Sequence, residues 1–86
     1  MLARHTFDIH AECPLVAHKQ WDYYRVVVQS EDVIDVHFLE SVMDSVRSAR
    51  ITQEEIASVI REQLSCEATI EVTGRHSQNS ETLVLG

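Results

Sequence analysis

Two side chains in the first quarter of the chain combine a nucleophile with a proton carrier. Cys13 lies in Glu12-Cys13-Pro14-Leu15, and Asp22 follows nine residues later in Trp21-Asp22-Tyr23. A thiol attacks as its thiolate, and a neighbouring carboxylate can move the protons that the attack displaces. The pair therefore suits covalent catalysis on an electron-poor carbon. The competing reading of Cys13 is a reduced cysteine in a core, a common fate for this residue type. Asp22 read alone is a solvated carboxylate at a strand start. Cys66 follows Leu64-Ser65 at the end of a helical pattern, where the helix dipole disfavours a thiolate. Cys13 is thus the expected reactive thiol. His10, Cys13 and His18 form a loose potential zinc set from one flexible stretch without paired-ligand spacing, and no metal is expected.

The elements that must position these groups follow from periodicity. Residues 4–11 alternate Phe7 and Ile9 with Thr6, Asp8 and His10, the period of a half-buried strand. Residues 13–20 read as a loop holding the only proline. Residues 22–29 are dense in aromatic and β-branched side chains and read as a second strand. Val33-Ile34-Asp35-Val36 is expected to add a short continuation strand. From 37 to 48 the period changes, with Phe38, Leu39, Val42, Met43 and Val46 on one helical face. Thr52 followed by Glu55 forms a capping box that starts a second helix, with Ile51 and Ile56 placed as a hydrophobic staple. Residues 67–73 and 81–85 read as two more strands, joined as a hairpin by the polar run 74–80.

The chain is 86 residues long, with 44% hydrophobic and 24% charged residues, so a single domain over 1–86 is expected. No apolar run approaches the length of a membrane span, and a cytoplasmic location with both cysteines reduced is the default. The net charge of −7 gives no support to a general nucleic-acid surface. A thin core and free sheet edges favour assembly of several sheets into a shared barrel, hence a homo-oligomer.

The order ββααββ, read as an α+β antiparallel sheet with both helices on one face, resembles the tunnelling fold. Within it, the chain is most similar to QueF-like proteins, the archaeosine synthases related to nitrile reductases. Glu12-Cys13-Pro14-Leu15 with Asp22 resembles the family's cysteine-proline segment and aspartate. Val42-Met43-Asp44-Ser45-Val46-Arg47 with Ile51-Thr52-Gln53-Glu54-Glu55 resembles the helix junction that carries the family's substrate-binding glutamate. Ile70-Glu71-Val72-Thr73-Gly74 resembles its third-strand motif.

The resemblance implies that Cys13 adds to the nitrile carbon of 7-cyano-7-deazaguanine, free or in nucleic acid, to form a thioimide. Asp22 then acts as acid and base, and ammonia or another amine displaces the thiol to leave a formamidine. Glu54 would accept from the ring N–H groups, with Glu55 as the alternative. Acidic residues are also favoured in a first helical turn for their own sake. No cofactor is implied. Gln53 stands where the family has a histidine, and the interval from Cys13 to Asp22 is about two residues longer than the family's. His18, inside that longer loop, is the candidate to replace the missing histidine, whereas His5, His10, His37 and His76 read as surface or strand-face residues. The lysine-bearing segment of the reductases is missing from Asp35-Val36-His37-Phe38-Leu39-Glu40, which disfavours reduction by NADPH. A non-catalytic purine- or pterin-binding protein is the rival class.

Overall fold

The computed structural model describes all 86 residues, Met1–Gly86. Strands β1 (Ala3–Glu12) and β2 (Trp21–Ser30) form a first hairpin. Helices α1 (Val36–Val46) and α2 (Gln53–Gln63) follow, then β3 (Thr69–Ser77) and β4 (Ser80–Leu85). All neighbours are antiparallel, in the sequential order β1-β2-β3-β4.

Alternation sets the faces of this sheet. Phe7, Ile9 and Ala11 of β1, Tyr24, Val26 and Val28 of β2, and Ile70 and Val72 of β3 are buried under the helices. Onto them α1 lays Leu39, Val42, Met43 and Val46, and α2 lays Ile56, Ala57 and Ile60. These residues form one continuous core. Each large aliphatic side chain fully removed from water contributes about 1.5–3 kcal/mol of gross stabilisation, so this layer is the main source of stability. The other face of the sheet has no covering element and carries mostly polar and aromatic residues.

The short continuation strand expected at Val33–Val36 does not form. Val33 is 94% exposed, and Val36 instead opens α1. Asp35 decides the outcome, because its carboxylate accepts from the His37 backbone N–H at 2.8 Å and caps the helix. Phe38, assigned to the apolar helical face, is 43% exposed at its margin. The last hairpin is tighter than the run 74–80 suggested. β3 continues to Ser77, only Gln78 and Asn79 lie between the strands, and the register shifts between Arg75 and Ser77. Ala68, expected inside β3, precedes it, and its carbonyl accepts from the Arg61 guanidinium. No helix is long and apolar enough to cross a membrane.

Candidate active site

The strand register places Cys13 and Asp22. Glu12 pairs with Trp21 and Ala11 with Asp22, so Cys13 is the first residue beyond the sheet and Asp22 sits one pair inside it. The intervening loop is closed by the Cys13 N–H donating to the Gln20 carbonyl at 2.9 Å. Arg50 holds the loop from the other side. Its guanidinium pairs with Glu12 at 2.5 Å and donates to the carbonyls of Pro14 and Val16 at 3.1 and 3.2 Å.

The connector between the helices brings the second half of the site to the first. Ser48 takes a left-handed backbone conformation, φ 63°, that turns the chain toward β1. Its N–H donates to the His10 carbonyl at 2.8 Å, the Glu12 N–H donates to the Ala49 carbonyl, and the Ile51 N–H donates to the Glu12 carbonyl. This pairing alongside the end of β1 delivers the N-terminus of α2 to the cysteine loop. The expected capping box is complete. The Glu55 N–H donates to Thr52 Oγ1 at 3.2 Å, and the Thr52 N–H donates to Glu55 Oε1 at 3.1 Å. The Thr52 hydroxyl, which donates to Glu55 Oε1 at 2.8 Å, and then the Thr52 N–H hold the Glu55 carboxyl below the usual carboxylate range. With Glu55 bound to the cap, Glu54 is the first-turn carboxylate that faces the pocket.

Cys13, Asp22, Gln53 and Glu54 line one pocket of about 240 Å³, together with Pro14, Leu15, Tyr24, Thr52, His76 and Thr82. Two larger hollows lie elsewhere. One, about 820 Å³, is on the uncovered sheet face, and one, about 600 Å³, is beside Ser30 and Glu67. Neither contains a cysteine. The smaller pocket alone combines a thiol, carboxylates and a helix N-terminus, whose partial positive charge favours developing negative charge nearby.

Gln53 is 4% exposed and fully engaged. Its Nε2 donates to the carbonyls of Val72 and Thr82, each at 2.8 Å, and its Oε1 faces His76 Nε2 at 3.1 Å. The amide ties the start of α2 to β3 and β4. Tyr24, also facing the pocket, donates its Oη proton to Asp22 Oδ2 at 3.4 Å. Burial first, and then the neighbouring Asp22 carboxylate, push its phenol well above the ordinary tyrosine range, which keeps it a neutral donor. Gly74 makes this position possible. A Cβ there would come within 2.6 Å of Tyr24 Cε1 and 2.7 Å of Cδ1.

His18, the candidate replacement histidine, is exposed in the loop and does not line the pocket; His76, an exposed residue of β3 as expected, does. Trp21 and Tyr23 point away from Asp22. They face the uncovered side of the sheet, where His10 packs against both rings and Lys19 Nζ lies 4.6 Å above Trp21, and Tyr24 covers Asp22 instead. His10 belongs to that same side and bonds Ser48 Oγ at 3.0 Å, away from Cys13. No cluster of three His, Cys, Asp or Glu side chains converges with metal-binding geometry.

An antiparallel four-stranded sheet carrying a helix pair between its second and third strands defines a compact α+β class. The chain shares this fold with a solved structure, the archaeosine synthase QueF-Like in its apo form. The TM-score is 0.80 at 22% sequence identity, covering 99% of this chain and 90% of that one. No protein-family model matches the sequence, and no curated protein matches it significantly.

Proposed function

We propose that the chain is a QueF-like enzyme that converts the nitrile of a 7-cyano-7-deazaguanine group to a formamidine. The observation that carries this reading is the convergence of Cys13, Asp22 and Glu54 in one pocket on the fold of an archaeosine synthase. In the first step Asp22 takes the thiol proton while Sγ bonds to the nitrile carbon. One C–N π bond breaks, and Asp22 returns the proton to the nitrogen, giving a thioimide. Ammonia then adds to the same carbon, the C–S bond breaks, and Cys13 regains a proton as the formamidine leaves. Glu54 accepts from the ring N–H groups at the mouth of α2, and a ring lacking them leaves that carboxylate unpaired.

The pocket volume supports one nucleobase-sized ligand. It falls below the roughly 300–1,000 Å³ typical of drug-sized sites. The missing lysine-bearing segment at residues 35–40 disfavours the reductase alternative. The free edges, the first half of β1 and all of β4, suit pairing with further copies in a homo-oligomer of cytoplasmic location. The test is incubation of the protein with 7-cyano-7-deazaguanine followed by intact mass. A covalent adduct that is lost in Cys13→Ala and discharged by ammonia supports the enzyme. Binding without an adduct assigns the chain to the non-catalytic class.

A further inference from the structure

Gln53 and His76 together carry an inference about proton transfer that rests on the reaction proposed above. Each hydrogen of the Gln53 amide has its own acceptor, the Val72 carbonyl at 2.8 Å and the Thr82 carbonyl at 2.8 Å. The amide therefore has only one orientation. Flipping it would set Oε1 against two carbonyl oxygens, and a buried acceptor pair without a proton costs about as much as a lost hydrogen bond twice over. Oε1 is thereby fixed toward His76 Nε2 at 3.1 Å, and an amide oxygen only accepts. The proton of the neutral imidazole must sit on Nε2. Nδ1 is left as a lone pair that no protein group occupies, on a ring that lines the same pocket as Cys13.

We infer that Gln53 is a positioning residue that locks His76 in the Nε2–H tautomer, and that His76 Nδ1 is the base that deprotonates the incoming ammonia. The step balances. As the ammonia nitrogen bonds to the thioimide carbon, the C=N π pair moves onto the imide nitrogen, the incoming nitrogen becomes an ammonium group, and one of its protons passes to Nδ1. The π bond then re-forms as the C–S bond breaks, the C–S electron pair stays on sulfur, and the imidazolium returns the proton to Cys13 Sγ. Division of labour follows, with Asp22 serving formation of the thioimide and His76 serving its discharge.

Two measurements test this. Nitrogen-15 spectra of the histidine rings read the tautomer directly. His76 is expected to show an unprotonated Nδ1 with a protonated Nε2, and Gln53→Leu to shift His76 toward a mixture. A protonated Nδ1 in the parent overturns the inference, whatever the enzyme does. The second measurement separates formation of the adduct from its discharge. In His76→Gln, adduct formation should fall no more than a few-fold, while release by ammonia slows by about 10²–10⁴, the usual contribution of a positioned acid–base group. Added imidazole should restore part of the release rate in His76→Ala, which a purely structural histidine would not allow. Unchanged release in His76→Gln refutes the assignment. A parent protein that forms no adduct refutes the reaction proposed above and leaves the tautomer spectra to decide the Gln53–His76 pairing.

Discussion

Gly74→Ala is the smallest change that tests how the pocket is built. Neither glycine has a positive φ, so the backbone accepts alanine at this position. On backbone grounds alone the substitution stabilises a protein by about 0.4–1 kcal/mol, through a less disordered unfolded chain. The side chain opposes this. The new Cβ would lie 2.6 and 2.7 Å from two ring carbons of Tyr24, against a carbon–carbon optimum of about 3.5–4.0 Å. The ring must retreat by about 1 Å, yet Tyr24 is 4% exposed and has little free space around it. Overpacking of this kind costs about 1–3 kcal/mol. The clash wins, and a net loss of about 1–2 kcal/mol should lower the unfolding midpoint by roughly 5–15 °C for a domain of this size. Thermal melts and urea titrations with an unchanged slope would measure it. Tyr24→Leu removes the obstructing ring edge, so a double-mutant cycle should return a coupling of about 1 kcal/mol or more. If Gly74→Ala is as stable as the parent, the close approach of Tyr24 to β3 is not what requires glycine here.

Glu54→Gln should weaken ligand affinity roughly ten- to hundredfold, because one acceptor oxygen becomes a donor facing ring N–H groups at a cost of about 1–3 kcal/mol; calorimetry with 7-cyano-7-deazaguanine measures it. Asp22→Asn should leave that affinity nearly unchanged and slow adduct formation, read by time-resolved intact mass. The Tyr24 phenol has its pKa raised by burial and by Asp22. Its contribution to stability is present below the ordinary tyrosine value of about 10 and is lost as pH rises above it. Ultraviolet titration should therefore show a tyrosine still protonated at about pH 11, and Tyr24→Phe should remove that late transition. Thr52→Ala should cost about 1 kcal/mol at neutral pH by deleting the cap of α2. The Glu55 pKa is lowered, so the carboxylate's share of the box is present above the ordinary value of about 4.3 and is lost as pH falls through the folded one. The stability gap between Thr52→Ala and the parent should accordingly narrow in acid.

Much of this architecture was legible because local signals agreed with tertiary burial. Alternation marked β1 and the first half of β3, and the density of aromatic and β-branched side chains marked β2. Thr52 and Glu55 marked the start of α2, since a capping box is a short-range device that needs no tertiary context. The failures have physical causes too. Val33 and Val36 have strand-forming side chains but no neighbouring strand to pair with, and the Asp35 cap takes the segment into a helix. His76 was missed because Gly74 and the polar residues after it resemble a turn. Parity held the missing signal. Ile70, Val72 and Gly74 face the helices, and His76 continues that series across the end of β3. The same parity, read along Tyr24, Val26 and Val28, assigns Tyr24 to the side of Asp22 and Trp21 and Tyr23 to the opposite side. The orientation of His18 has no such periodic determinant, because loop residues follow no face.

The link between Cys13 and Gln20 has a bearing on how this loop can change. The sheet register fixes the relation of Cys13 to Asp22 across the strands, and the Cys13–Gln20 hydrogen bond closes the loop above that ladder. Arg50 grips only Pro14 and Val16, so Ala17, His18 and Lys19 hang outside the clamp. Two extra residues in a tether of this length raise the closure entropy by only about 0.3 kcal/mol. Chain spacing between Cys13 and Asp22 is therefore a poor ruler of their spatial separation. The tip of the loop is a place where insertions, a fluorescent label or an affinity peptide should leave Cys13 and Asp22 in register.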